Sequence, residues 1–538
     1  MTHHKAHSVL ETPAPNKGAR VSWVPMVHPL VWVGLATVVL YASLAWLYPL
    51  WGGLHKPLRT WAGLVRSDLV VGLVHGAIYV ALMALYVFGL RQITKLKSNH
   101  RRIMFGVIGV WIAASLAGVM SFPGESLDIF DYIFRGRMVG LYERSPLNTT
   151  PFELRDKPFH SYVSWTKWVD AYGPIWEYAS GGIGTLTQLD ASKAELSVQS
   201  NNTCEAQPAV CTLLAKYVLA YRTFAMVCAG LCGALIYALV RRNSPEQATT
   251  ALLAWLWNPL LIVVAAIGGH NETLVLLAVL LALWLMQRQH WLGGLLCLVA
   301  AAHIKLTCLI FLPPTCLWLV LRLGWRATLL RVSVLVALAV PLSWLLYTPL
   351  GGWETLQKNL YERSIFSTNS IANAVYWLLR EFGGWERYVA QGTVARYAPM
   401  TFALCAGAWL LRWWRKRDTS DASLWQAFTA IATLYFLAGS YWFQYWYLLW
   451  LVALAALLPF TSWSTRLLPA YVLGGLLATH ILDFFNNQKP APMLAPLPAS
   501  ALYLVVLLLP VAMGAIRMLR MSRVSAVTTP KPSAKRLT

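Results

Sequence analysis

Between Ser126 and Arg137 the chain reads Ser-Leu-Asp-Ile-Phe-Asp-Tyr-Ile-Phe-Arg-Gly-Arg, two carboxylates and two guanidiniums among apolar residues, just after a hydrophobic segment of spanning length. Acids placed there are costly unless they have cationic partners or polar work to do. Asp128 and Asp131 lie three apart, so on a helix they share a face. One of them can take a proton from a hydroxyl as a general base. Two carboxylates so close repel each other if both are ionised, so Arg135, Arg137 or a divalent cation (Mg or Mn) is expected to hold at least one. The plainer reading is a solvated loop with a charged helix start.

Three further groups carry polar chemistry at separated positions: Tyr172-Gly173-Pro174 with Trp176 and Glu177, Gly268-Gly-His270-Asn271-Glu272, and His303 with Lys305. Each also has a structural reading. Tyr-Gly-Pro can be a simple loop-to-helix start, and Gly-Gly-His-Asn-Glu a tight turn with a capping side chain. Lys305 can snorkel to an interface. The aromatic run Tyr441 to Tyr447 reads first as an interfacial belt. Lys305 has few acids near it in sequence, and burying an ammonium unpaired is expensive, so a bound phosphodiester is the expected anion.

The elements that must position these groups are apolar and long. The 538 residues are 57% hydrophobic and 12% charged, with 27 Trp, too much apolar surface for a soluble fold. The chain therefore reads as an all-α polytopic membrane protein. Spanning runs fall at about 28–50, 69–90, 103–120, 212–240, 248–266, 271–287, 291–323, 327–348, 395–412, 424–440, 445–459, 467–484 and 498–519. The run at 291–323 is about twice the length one crossing needs, and splitting it at His303-Ile-Lys305 brings the total to about 14 transmembrane helices. Residues 1–27 and 521–538 read as polar, disordered cytoplasmic tails around a membrane domain at 28–520.

The formal net charge of +22 would suggest nucleic acid in a soluble chain. Here the basic residues punctuate apolar runs and report topology instead. The loop Arg91 to Arg102, Arg241-Arg242, Arg322 to Arg331, Arg412 to Arg417 and both tails fall on one side, expected to be the cytoplasm. Lys56, Arg59 and Arg66 are the exception. Of the 22 acidic residues, 11 lie between Glu125 and Glu205, so the loop 121–211 is the expected extracytoplasmic catalytic region. Its apolar piece after Gly173 is expected to be a re-entrant or interfacial helix with Pro174 in the first turn, since a full crossing would invert every later loop. Cys204 and Cys211 stand in that loop, where a disulfide would require an oxidising compartment. The six other cysteines lie in apolar runs and behave as small hydrophobes. No phosphate-binding glycine loop, zinc-type spacing or serine elbow is present, and no soluble segment could hold a nucleotide domain.

Taken in order, Asp-Ile-Phe-Asp-Tyr with Arg-Gly-Arg, Tyr-Gly-Pro-Ile-Trp, Gly-Gly-His-Asn-Glu, Ala-His-Ile-Lys-Leu-Thr and Tyr-Trp-Tyr-Leu-Leu-Trp resemble the GT-C class of membrane glycosyltransferases. Within it the pattern is most similar to bacterial polyprenyl-phosphate-mannose-dependent alpha-1,6-mannosyltransferases. The resemblance implies transfer of a hexose, mannose for the nearest group, from a polyprenyl-phosphate donor to an extracytoplasmic glycan or lipid-linked acceptor. It implies an acid of the first large outer loop as base, which points to Asp128 first and Asp131 second. Lys305, His303, Arg363 and Arg135 are then the expected contacts of the donor phosphate. Tyr172, Trp176, His270, Asn271 and Glu272 are the expected substrate-binding residues. Ser145-Pro-Leu-Asn148 stands where the pattern usually has Asn-Pro-Tyr, which bears on the acceptor, and Glu272 stands where Asp is usual.

A different class, a secondary transporter or lipid flippase, would place ionisable groups near the bilayer midplane and often show inverted repeats. In this chain the acids gather in one terminal loop and no repeat is visible.

Overall fold

The computed structural model describes residues 29–96, 100–196, 204, 207–357, 367–460, 463–487, 502–509 and 512. The two tails expected to be disordered, and Arg363, lie outside them. The described residues form an all-α polytopic membrane protein; among them there is no strand, only the isolated bridges Pro49 to Ser121 and Thr368 to Trp442.

Nine helices among the described residues are long and apolar enough to cross a membrane, from Pro29–Leu47 and Leu69–Ile93 to Asp421–Gly439 and Leu467–Phe484. The segment read as one crossing at about 248–266 is instead a bent pair, Pro245–Leu256 and Pro259–Ile267, with a 48° break. The break falls where Pro259 cannot continue the hydrogen-bond ladder, and Asn258 caps the second piece by accepting from the Leu260 amide at 3.0 Å. Three apolar helices, Glu272–Gln287, Trp291–Ala302 and Tyr445–Ala456, are shorter than a full span. Short and bent helices surround the site, whereas Trp325–Leu350 and Arg387–Lys416 are long and bury few of their side chains, as lipid-facing spans would.

Two features aim the polar segments. Arg222, fully buried in the helix Pro208–Asn243, donates to the carbonyls of Val119 (2.6 Å), Ser121 (2.8 Å) and Ile267 (2.8 Å). One guanidinium thus ties the chain just before the acidic stretch to the chain just before Gly-Gly-His-Asn-Glu. The acidic stretch itself forms the helix Asp128–Leu141, which lies against the helix Pro174–Leu189. Small residues allow that approach: a Cβ on Gly140 would meet the Gly181 carbonyl and the Thr185 hydroxyl, and one on Gly184 would touch the Gly136 backbone. Across the same seam Tyr221 donates to the carbonyl of Tyr132 at 2.9 Å and exchanges a hydrogen bond with the Ser180 hydroxyl at 2.6 Å.

The helix after Gly173 carries Pro174 in its first turn and is no full span. The long run at 291–323 breaks at His303-Ile-Lys305, between Trp291–Ala302 and Leu306–Leu323. The break frees two carbonyls and the start of the Pro174 helix has free amides, and the two satisfy each other. Gly173 N donates to Ile304 O at 3.0 Å and Ile175 N to His303 O at 3.1 Å. Gly173 has no alternative here, because a Cβ would land on the His303 carbonyl.

Candidate active site

The seam between these elements opens into a cavity of about 510 Å³, within the usual range for small-ligand pockets of roughly 300–1,000 Å³. Asp128, Asp131, Arg135, Tyr172 and Lys305, drawn from three of the separated sequence groups, all line it. His270 and Glu272, from the fourth, lie against them without lining the cavity.

The two acids differ in what holds them. Asp131 is buried, and its two oxygens accept from the Ser164 amide (3.1 Å) and the Trp165 amide (3.0 Å). Arg135, one turn on, donates to the carbonyls of Trp165 (3.2 Å) and Trp168 (2.9 Å), and its Nε lies 3.6 Å from Asp170. Asp131 and Arg135 share a helix face and together clamp the segment 164–170 by its amides and its carbonyls. Asp128 is freer. Its side chain is 22% exposed, and its nearest charge partner is His270 Nδ1 at 4.0 Å.

Burial raises the Asp128 carboxyl from about 3.8 to about 6; His270 opposes the rise, and Asp131 and Glu272 add to it. Burial raises Asp131 to about 6 as well, against the pull of Arg135 and the two backbone amides. His270 is shifted the other way, its imidazolium disfavoured by burial. Its ring stacks on Trp446 at 4.4 Å, and its Nδ1 lies 3.4 Å from the Tyr132 hydroxyl.

The geometry bears on each of the remaining expected site residues. Lys305 is not an ammonium lacking an anion: its Nζ donates to Glu272 Oε1 at 2.5 Å, and it lies 4.2 Å from the Tyr447 ring centroid. The pair spans 33 positions, so only the fold brings it together. Arg137 holds neither acid. Two positions beyond Arg135 it falls on the far side of the helix, donating to Tyr142, Gln188 and Tyr217. His303 is turned out of the cavity, its ring bonded to Val299 O (2.8 Å) and Ser343 Oγ (2.9 Å). Trp176 is buried behind the wall against Tyr132. Asn271 is buried, with neither side-chain amide atom hydrogen-bonded. Arg363 lies outside the described residues.

The aromatic run is not a belt: Tyr441, Trp442, Trp446 and Tyr447 line the cavity. The chain leaves its helix after the π-turn Tyr435–Gly439 and re-enters through a 3-10 turn at Tyr445–Tyr447, which folds the rings inward. Residues that sequence reasoning passed over include Trp165, Asp170 and Tyr347, all in the wall. Glu125 was passed over too. Its carboxyl is buried beside Arg222, both oxygens lack a hydrogen bond, and burial raises it to about 8.

Among the described residues no group of three His, Cys, Asp or Glu side chains could hold a metal ion. Asp131, whose oxygens both accept backbone amides, is poorly placed to serve a divalent cation. Cys204 and Cys211 are joined as a disulfide, next to the Tyr162 hydroxyl.

What the arrangement can do is remove a proton at one free carboxylate and meet negative charge at an ammonium, in a cavity walled by aromatic rings. Compared one by one with curated proteins, the chain matches none. The family model of glycosyltransferase family 87 matches residues 208–438, consistent with glycosyl transfer. The model of the alpha-(1->6)-mannopyranosyltransferase N-terminal domain matches residues 31–322, more than half of the chain, which therefore belongs to the alpha-(1->6)-mannopyranosyltransferase family of membrane glycosyltransferases.

Proposed function

We propose that this glycosyltransferase moves a mannosyl unit from a polyprenyl-phosphate donor to a hydroxyl of an extracytoplasmic glycan or lipid-linked acceptor, with Asp128 as base. The observation that carries this reading is the shared cavity of Asp128 and Lys305, in which the one acid not clamped by backbone amides faces the site. The acceptor O–H gives its proton to the Asp128 carboxylate as its oxygen bonds to the anomeric carbon. The bond from that carbon to the phosphate oxygen breaks, and polyprenyl phosphate leaves with the electron pair.

Lys305 meets the charge that develops on the leaving phosphate. An ammonium has three donors and Glu272 takes one, so two remain for phosphate oxygens. Glu272 then holds the ammonium in place, a role that the expected Asp, one methylene shorter, would fill from closer to the helix start. A lipid-borne donor accounts for a site built among spanning helices, and the aromatic wall suits a sugar ring.

Purified protein supplied with polyprenyl-phosphate mannose and α-linked manno-oligosaccharides is expected to release polyprenyl phosphate only when acceptor is present. Transfer from a nucleotide sugar instead, with none from the lipid donor, would overturn the reading.

A further inference from the structure

The wall clamped by Asp131 and Arg135 has no part in the base or leaving-group chemistry, yet it is built with care. Its two carboxylates, Asp131 and Asp170, outnumber the single guanidinium of Arg135, and the buried Glu177 carboxyl behind them is pushed toward its neutral form by burial and by Asp170. The donor Arg135 Nη1 lacks a hydrogen-bond partner, and Asp170 Oδ2 has only Arg135 Nε at 3.6 Å and the Glu177 carboxyl beside it; the two side chains are 4% and 5% exposed. Both residues line the cavity. Beside them Trp165 meets Trp442 edge to face at 5.7 Å, and both rings line it as well.

We propose that this wall, Arg135 and Asp170 with Trp165 and Trp442, is the acceptor subsite, and that it selects a neutral hexose over a phosphorylated or otherwise anionic unit. A phosphate offers acceptors only and meets two carboxylates here. A hexose offers hydroxyls that both donate and accept, so it can serve the orphan guanidinium donor and a carboxylate alike, while its apolar face packs on indole. The wall therefore does not serve the donor phosphate, a duty that the charge balance leaves to Lys305, whose ammonium faces one carboxylate. This inference rests on the transfer reading above.

The test uses the full chain, a short polyprenyl-phosphate mannose as donor and α-1,6-mannobiose as acceptor, with Asp170→Asn and, in case loss of the Arg135 contact disturbs folding, Trp442→Leu separately. Acceptor KM is expected to rise tenfold or more while donor KM stays within twofold. Mannobiose phosphorylated on its reducing-end sugar should be a poor acceptor for the wild type and should improve relative to mannobiose in Asp170→Asn. A rise in donor KM with acceptor KM unchanged in both variants would place the wall on the donor side and overturn the proposal. So would equal use of the phosphorylated and neutral acceptors by the wild type. A wild type that transfers nothing from this donor fails at the earlier step, the identity of the donor, and takes the subsite down with it.

Discussion

Asp128 and Asp131 have the same side chain one helical turn apart, and their surroundings assign them different work. Asp131 has both oxygens occupied by backbone amides, whereas Asp128 faces the cavity with the Ser126 hydroxyl and a distant imidazole as its polar neighbours. Asp128→Asn keeps the shape and removes the basicity, so turnover is expected to fall by about a hundredfold or more with donor binding retained. Asp131→Asn, which alters the clamp on residues 164–170, is expected to lower activity less. Wild-type turnover by folded, donor-bound Asp128→Asn would remove that residue from the mechanism.

The same carboxyl sets a pH dependence. With Asp128 raised to about 6, kcat/KM should be flat above that pH and drop on the acid side. Unfolding is not the cause expected from these groups. Asp128 and Asp131 both bind protons more tightly in the folded state than their ordinary values near 3.8. Their contribution to stability is therefore greatest below about 3.8 and is lost as pH rises through about 6. A thermal midpoint that holds or rises between pH 7 and 5 while the rate falls would separate the two effects.

Lys305 was expected to lack a protein anion, and the fold supplies one. The ammonium does line the cavity, but its anion is Glu272. Lys305→Met alone would leave a buried carboxylate uncompensated, costing about 3–5 kcal/mol, so a loss of activity would say little about phosphate. The double variant Lys305→Met with Glu272→Gln removes both charges. It should fold near normally, and its donor KM is expected to be raised at least tenfold. An unchanged donor KM in the double variant would return Lys305 to a purely structural pairing.

At the scale of elements, the junction between the Pro174 helix and the break at His303-Ile-Lys305 is the most exacting contact around the site. Gly173→Ala retains an extended backbone that any residue can adopt (φ −92°). The cost is therefore steric, a Cβ against the His303 carbonyl, of about 1–3 kcal/mol. Circular dichroism on heating should show an earlier transition, and activity should fall because Lys305 sits on the displaced segment. An unshifted melting curve would mean that the two segments part at little cost.

The break itself was legible in the sequence, because a largely apolar run of 33 residues exceeds one crossing and His and Lys sit near its middle. The start of the Pro174 helix was legible for the same kind of reason, a proline suited to a first turn. What stayed hidden was whatever depends on the third dimension. Asp170 has no spacing signal, and it enters the wall only because Asp131 and Arg135 pull the intervening loop across. The inward turn of Tyr441 to Tyr447 depends on a π-turn and a 3-10 turn that composition does not announce. Helix periodicity did separate Arg135 from Arg137, two positions apart on opposite sides, although the sequence reading treated them as interchangeable.

For the whole molecule the decisive question is which side of the membrane the cavity opens to, since a polyprenyl-phosphate donor and an extracytoplasmic acceptor both require the outer face. Charge is the guide to sidedness. The basic residues at the end of Leu69–Ile93 and just beyond it, in the last turn of Pro208–Asn243, on both sides of Gly324 between Leu306–Leu323 and Trp325–Leu350, and at the end of Arg387–Lys416 are expected on the cytoplasmic side. The acid-rich region 121–211 follows Arg101–Gly118, one crossing away from the first of them. Lys56, Arg59 and Arg66 oppose this assignment, and three charges in one short segment are outweighed by four basic span ends. Ser161 is exposed, in a short 3-10 turn and away from the cavity lining, so a cysteine there should report sidedness without disturbing the site. In intact cells Ser161→Cys is expected to react with a membrane-impermeant thiol reagent, while a cysteine placed at Ala422, beside the basic loop 412–417, reacts only after lysis. The reverse pattern would put the cavity on the cytoplasmic face, where a lipid-linked sugar facing outward could not reach Asp128.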